Sequence, residues 1–191
     1  MTNLGGPEHQ GQAVALDRLS AAIFDLDGVI TRTASLHNRA WQVMFQAYLD
    51  ERAGREGTSF ERYDPDGDYR HYIDGKPRYD GVRSFLASRG ITLPDGETSD
   101  PSSAETVCGL GNRKDHLFHE LLESDGVEVF DSSIELLRQL RAVGVRTAVV
   151  SSSKNAAPVL AAAHIEDLFD IMVDGRLAET EPAHRIIHAA L

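Results

Sequence analysis

The 191-residue sequence predicts an α/β fold, in which a parallel sheet is covered by helices and a mainly helical domain is inserted after the first strand. An apolar run near the start ends in Asp25 and Asp27, and helical patterns alternate with apolar strands only after residue 125. The sequence between them is helical and broken by Gly and Pro. We therefore expect a flexible N-terminal segment 1–18, an α/β core of residues 19–33 and 125–191, and a helical cap of residues 34–124.

The first strand is predicted over residues 19–25, and the first cap helix follows it. This helix is indicated by apolar side chains at helical spacing: Leu36, Ala40, Trp41, Met44, Phe45, Tyr48 and Leu49. A polar loop is expected from Ala53 to Pro77. Two further cap helices are expected over residues 79–89 and 112–124.

The last part of the chain alternates between helices and strands. A helix is predicted over 130–144, with Asp131 as its N-cap and Gly144 as its stop. The next elements are an apolar strand at 145–150, a short helix at 156–164 with Pro158 in its first turn, and a third strand within 169–175.

The composition restricts the partners. The chain has 19 basic and 30 acidic residues and a net charge of −11, which argues against nucleic acid or an anionic membrane surface. Its single cysteine, Cys108, gives no disulfide framework. The start lacks the pattern of a signal peptide, and no stretch approaches the roughly 18 apolar residues of a membrane span. We expect a cytoplasmic protein.

Three polar side chains stand where predicted strands end. Asp25 and Asp27 follow the first strand and Ser151 follows the second, so we expect them to meet in one crevice at the carboxyl edge of the sheet. One carboxylate there can attack phosphorus while the other acts as general acid and base, with Mg²⁺ neutralising the phosphate. The competing interpretation is that both aspartates only cap a turn. The surrounding strand and Asp-Gly turn favour the catalytic one.

These motifs resemble a known superfamily. "FDLDGVI" together with "VVSSSKN" is similar to the haloacid dehalogenase (HAD) superfamily of phosphatases and phosphomutases, and "DGVITRTASLHNRAW" resembles the β-phosphoglucomutase family. The resemblance covers about residues 20 to 180 and implies a Rossmann-like core with an inserted cap. It also implies that the partner is a small phosphorylated sugar.

The resemblance implies individual site residues as well. Asp25 would be the phosphorylated nucleophile and Asp27 the general acid/base, and the Asp25 carboxylate and Asp27 carbonyl would bind Mg²⁺. The remaining matches are Ser151 and Ser152 for the transferring phosphate, Ser153, Lys154, Asn155 and Arg78 for a second phosphate, Thr33, His37 and Trp41 at the hinge and first cap helix, and Lys114 for the sugar.

Several of these residues have a structural alternative. Trp41 would fit the interior of the cap, and Lys114 and Arg78 could be solvated surface charges. For the cap arginine, the motif "DGKPRYDG" favours Arg78 over Arg83.

The sequence departs from the family pattern near its end. Glu181-Pro182 stands where the family has a lysine, and neither a later lysine nor the acidic pair after a fourth strand follows. A carboxylate in place of the lysine would repel the phosphate by up to roughly 4 kcal/mol per close pair. The first strand would also keep an unpaired edge, which favours self-association. Three interpretations therefore remain: a β-phosphoglucomutase-type phosphotransferase, a sugar-phosphate phosphatase, and a truncated, catalytically impaired protein.

Overall fold

A three-stranded parallel sheet organises the computed structural model, which describes residues 19–151 and 153–178. The strands are β1 (Ala21–Asp25), β2 (Arg146–Val150) and β3 (Ile171–Val173), in the order β1-β2-β3. All pairings are parallel, so the strands end at one common edge. The predicted α/β fold class is confirmed. Residues 1–18, Ser152 and the Glu181-Pro182 pair lie outside the described residues.

Helices fill the connections between the strands. Four of them lie between β1 and β2 in the chain: α1 (Thr33–Glu56), α2 (Arg78–Ser88), α3 (Val107–Asp125) and α4 (Asp131–Ala142). The later helices are α5 (Ala156–Ala163) and the short α6 (Gly175–Ala178). A π-helical turn spans Tyr69–Ile73 and a 3₁₀ turn spans Glu166–Leu168. None of the helices over these residues has both the length and the apolar character needed to cross a membrane.

Some element boundaries differ from those expected. α1 continues through Glu56 and ends at Gly57, whose φ of +64° favours glycine, so the loop expected from Ala53 begins later. α3 starts five residues before the expected Asn112, because Thr106 Oγ1 accepts a hydrogen bond from the Gly109 N–H and caps this end. Asp131 is the first helical residue of α4, and Phe130 is its N-cap.

Two hydrophobic clusters stabilise the described residues. The cap cluster lies among α1, α2 and α3, where the rings of Phe45 and Phe85 stack with centroids 3.8 Å apart. The core cluster joins Leu26, Val149 and Leu137 around the sheet. It also takes in Phe118 from α3, so this helix contributes to both clusters. We call α1–α3 the cap and the sheet with α4 and α5 the core.

Two linkers connect cap and core and run side by side. Thr31 and Val129 form an antiparallel bridge, and the Arg32 N–H donates to the Glu128 carbonyl at 2.8 Å. Arg39 of α1 pairs with Asp125 at the end of α3. The linkers therefore form a short two-stranded hinge.

Candidate active site

The tight turn after β1 brings the carboxylates to the edge of the sheet. Asp25 ends β1 and lies opposite Val150 in the register, so Ser151 follows at the same edge. Gly28, at φ +80°, allows the chain to reverse, and its N–H donates to the Thr31 carbonyl at 2.8 Å. The structure brings Asp27 and Ser151 together at this edge and places Asp25 at the end of the paired strand.

The Asp27 carboxylate is held from both cap and core. Its Oδ1 accepts a hydrogen bond from Thr33 Oγ1 of α1, and its Oδ2 accepts one from Ser151 Oγ at 3.2 Å. His37 Nε2, also on α1, lies 4.0 Å from Oδ1. The side chain is therefore fixed in a half-buried position where cap and core meet.

The Asp25 carboxylate has different surroundings. The side chain is exposed, and its Oδ1 accepts a hydrogen bond from the Leu26 N–H at 2.7 Å. This bond orients the group without covering it. An exposed carboxylate that is oriented by the backbone is accessible to an incoming electrophile.

Lys114 is buried beneath the site with only 4% of its surface exposed, so the interpretation as a solvated charge is wrong. Its Nζ lies 2.7 Å from His37 Nδ1 and faces the rings of Trp41 and Phe118 at 5.2 Å and 4.9 Å. Burial, together with the charge of Arg78, lowers the pKa of Lys114 to about 7. Burial and the charges of Lys114 and Arg78 hold the pKa of His37 well below its usual value.

The tautomer of His37 depends on the protonation of Lys114. When Lys114 is a charged ammonium it donates to Nδ1, which places the proton of the neutral imidazole on Nε2, the nitrogen that faces Asp27. The ring is held parallel to Phe118 with centroids 4.1 Å apart. His37 therefore lies between Asp27 at the sheet edge, 4.0 Å from its Nε2, and Lys114 in the cap, 2.7 Å from its Nδ1.

The loop after β2 has its own internal order. The Ser153 N–H donates to Ser151 Oγ and the Asn155 N–H donates to Ser153 Oγ, both at 3.1 Å. Asn155 is buried, whereas Lys154 is exposed. The loop therefore presents one buried amide and one exposed ammonium beyond Ser151, the residue that bonds to Asp27.

Arg78 is linked to the core through Asp115, which was not predicted from the sequence to belong to the site. Its Nη2 donates to Asp115 Oδ1 at 2.7 Å, and the Asn155 side-chain amide donates to the same oxygen at 2.9 Å. Arg83 instead pairs with Asp80 and Asp95 on the cap surface. The only signal for Asp115 in the sequence is its position directly after Lys114 in "NRKD".

Trp41 is not part of this constellation. Trp41 is buried in the cap cluster and stacks on Phe45 at 5.2 Å, so it meets the site only through Lys114. Ser152 lies outside the described residues.

Two oxygen groups at the end of β1 could serve as ligands for a metal ion. The accessible Asp25 carboxylate and the Asp27 carbonyl are the oxygen ligands that Mg²⁺ takes, and Mg²⁺ often uses only one or two carboxylates and completes its shell with water and substrate phosphate. Across residues 19–151 and 153–178, no group of three His, Cys, Asp or Glu side chains could hold a metal. The residues present fit a partial Mg²⁺ site that phosphate would complete.

Comparisons with known proteins agree with this geometry. A sequence model described as haloacid dehalogenase-like hydrolase matches residues 19–191. A protein named β-phosphoglucomutase from Mycobacterium tuberculosis is 52% identical over 170 residues, which are 88% of this chain and 65% of that protein. The chain therefore spans slightly less than two thirds of this relative's length.

Solved structures show the same fold. The β-phosphoglucomutase of Clostridium difficile has a TM-score of 0.63 at 24% identity, covering 90% of this chain and 69% of that one. A CbbY mutant from Rhodobacter sphaeroides in complex with xylulose 1,5-bisphosphate has a TM-score of 0.62 at 21% identity, covering 91% and 71%.

Proposed function

Because the chain belongs to the haloacid dehalogenase-like hydrolase family, we propose that it transfers phosphate between the C1 and C6 oxygens of a hexose through a phosphoryl group carried on Asp25. The observation that carries the proposal is the contrast between two neighbouring carboxylates: Asp25 is exposed, whereas Asp27 is half-buried and hydrogen-bonded from cap and core. The 52% identity to a β-phosphoglucomutase supports the same reaction.

Each aspartate has one task in this reaction. A carboxylate oxygen of Asp25 attacks phosphorus, the bond from phosphorus to the sugar oxygen breaks, and Asp27 gives its proton to that leaving oxygen. In the second half, Asp27 takes the proton from the accepting hydroxyl, whose oxygen attacks the phosphorus on Asp25. The His37 Nε2–H faces Asp27 and can stabilise its carboxylate between the two steps.

The residues around the aspartates would bind phosphate. Ser151 Oγ is positioned beside Asp27 to contact the transferring group, and Ser153, Lys154, Asn155 and Arg78 would take the second phosphate. Mg²⁺ at the Asp25 carboxylate and Asp27 carbonyl would neutralise the negative charge of the phosphoryl group. Lys114, on the cap side of His37, would contact the sugar.

Phosphatase activity is the second candidate, and the exposure of Asp25 favours it. Water that reaches this carboxylate could accept the phosphoryl group in place of a sugar hydroxyl, with the same proton transfer to Asp27. The two activities share the first half of the reaction and differ only in the acceptor.

The deciding experiment follows both products at once. The 191-residue chain is incubated with β-glucose 1-phosphate, Mg²⁺ and a catalytic amount of glucose 1,6-bisphosphate, and glucose 6-phosphate and free phosphate are measured in parallel. We expect glucose 6-phosphate from the wild type and a loss of about 10⁴-fold in rate for Asp25→Asn. Asp167→Asn, which removes an exposed carboxylate elsewhere on the core, should keep the wild-type rate.

Other results would change the assignment. Phosphate release without glucose 6-phosphate would make the chain a phosphatase. Neither product, from protein shown to be folded by circular dichroism, would contradict both candidates and favour the catalytically impaired interpretation.

A further inference from the structure

Asp115 is the one carboxylate among the described residues that contacts both the cap arginine and the amide of the core loop. It lies on α3, Arg78 is the first residue of α2, and Asn155 belongs to the core. A single oxygen, Oδ1, accepts from Arg78 at 2.7 Å and from Asn155 at 2.9 Å. This oxygen therefore links the cap to the core, beside the packing of Phe118 in the core cluster and the Thr33–Asp27 hydrogen bond.

From this geometry we infer that Asp115 is a built-in anion that fastens the cap to the core, and that the second phosphate of the substrate must displace it. The inference rests on the proposed function for the identity of the displacing group.

The donors that hold Asp115 are those that bind phosphate. A guanidinium and an amide N–H recognise a carboxylate oxygen and a phosphate oxygen with the same geometry, and the charge on the acceptor makes these bonds roughly twice as strong as neutral ones. Asn155 is 5% exposed and its backbone N–H donates to Ser153 Oγ, so the backbone that carries the side-chain amide is held in the loop. Asp115 is 25% exposed in its side chain and can swing away from Asn155 into solvent.

Repulsion between two negative charges is the reason why the phosphate would displace the Asp115 carboxylate. A phosphate that approached Arg78 and Asn155 while Asp115 kept its place would share their donors with a second negative charge a few ångströms away. The affinity for the phosphate is therefore reduced by the work of releasing the carboxylate. In exchange, the cap is held on the core before substrate arrives, which keeps His37 close to Asp27.

The first test measures the ligand-free protein. Spin labels on Glu61→Cys in the cap and Glu135→Cys in the core, both exposed positions, report the distance between cap and core, while the buried Cys108 stays unlabelled. We expect one distance in the wild type and an added population of longer distances in Asp115→Asn, since the neutral amide keeps the shape but loses the charge. Glu123→Gln removes an exposed carboxylate from the same helix and should leave the distances unchanged. An unchanged distribution in Asp115→Asn would overturn the inference.

The second test measures affinity with glucose 6-phosphate as the probe, by titration calorimetry without Mg²⁺. Asp115→Asn should bind roughly two- to fivefold more tightly than the wild type, since the competing charge is gone. Arg78→Ala leaves the Asp115–Asn155 contact in place but removes the cation that would bind phosphate, so it should keep the wild-type distances and bind more weakly. Opposite effects on affinity separate displacement from a purely structural role.

The outcomes distinguish the two proposals. Equal or weaker binding by Asp115→Asn, with glucose 6-phosphate still formed by the wild type, would overturn the inference and leave the proposed function standing. If no protein bound the sugar phosphate, displacement by substrate would fail together with the proposed function, and the label distances would still decide whether Asp115 fastens the cap.

Discussion

Asp25 and Asp27 are two residues apart, yet their carboxylates have opposite surroundings. The end of β1 at Asp25 accounts for the difference, because the turn that follows carries Asp27 toward Thr33 and Ser151 while Asp25 stays exposed at the strand end. The sequence predicts this convergence, since both strand ends can be recognised from their apolar runs. The catalytic tasks of these residues stay predictions until the rates of the variants are measured.

The burial of individual side chains was harder to predict from the sequence than the convergence of the strand ends. Nothing in "NRKDHLF" distinguishes a surface lysine from a buried one, because α3 carries charged residues on several sides. Lys114 is buried because it faces Trp41 and Phe118 at the meeting of the two clusters. Asp115 escaped prediction for a related reason: its partners, Arg78 and Asn155, come from distant parts of the chain.

The low pKa of Lys114 gives the stability a pH dependence. The unfolded chain binds this proton up to a pH of about 10.4, whereas the folded chain loses it at about 7. The unfolded state therefore holds more protons in this window, and the stability rises with pH between these values, by about 1.4 kcal/mol per unit of pKa difference. Below pH 7 the cost of burying the charge is fully present.

Lys114→Met should remove this dependence. Urea unfolding at pH 6.5 and pH 9 is expected to show a larger gain in stability with pH for the wild type than for the variant. Lys76→Met, at an exposed lysine, serves as the control and should follow the wild type. Parallel curves for the wild type and Lys114→Met would mean that folded Lys114 keeps its proton up to pH 9, which would contradict the lowered pKa.

At the scale of elements, the packing of α2 on α3 depends on Gly111. A Cβ built at Gly111 would lie 2.7 Å from ring atoms of Tyr79 and 3.3 Å from Cδ of Arg78. The absence of a side chain therefore lets the start of α2 approach α3 closely enough for Arg78 to reach Asp115. A glycine inside a helical pattern signals such an approach only when the neighbouring helix is known.

Gly111→Ala should lower the free energy of unfolding by about 1–3 kcal/mol, because Tyr79 must move. Gly54→Ala is the matched control, since this glycine also lies in a helix and its new Cβ would meet nothing within 4 Å. It should stabilise the protein by about 0.5–1 kcal/mol. Chemical denaturation of the three proteins measures both values, and equal changes of the same sign would contradict the packing argument.

The boundaries of elements were predicted less well than their types. Gly and Pro in residues 53–77 hid the last turn of α1 and the π-helical turn at Tyr69–Ile73, which is held by tertiary contacts of Ile73 in the cap cluster. The early start of α3 was missed because the run from Val107 to Gly111 contains two glycines, a composition that resembles a loop.

At the scale of the whole molecule, the fold class followed from the alternation of helices and apolar strands, and the family follows from the match over residues 19–191. The division into cap and core stays a prediction, and α3 complicates it because Phe118 belongs to the core cluster. A pattern of apolar residues identifies the helix but cannot divide its faces between two clusters.

The edge of the sheet at β1 predicts that copies of the chain associate with each other. Among the described residues β1 pairs with β2 alone, and Ile23 on β1 is 41% exposed. Ile23→Lys should therefore lower the average mass of the 191-residue chain in sedimentation experiments at increasing concentration. Val43→Lys places the same charge at an apolar position of α1 with 45% exposure and should leave the mass unchanged. A wild type that stays monomeric over the whole concentration range would contradict this prediction.

Because the two linkers are paired, the cap would rotate about them as one body. A two-stranded hinge bends far more easily about one axis than it stretches, so displacement grows with distance from it. Along the helices, Asp115 lies ten residues from the end of α3, or about 15 Å, and His37 lies four residues from the start of α1, or about 6 Å. A rotation that carries Asp115 well clear of Asn155 thus moves His37 less than half as far from Asp27. Such a rotation would combine a small displacement at the Asp27–His37 pair with a large displacement at the Asp115–Asn155 contact.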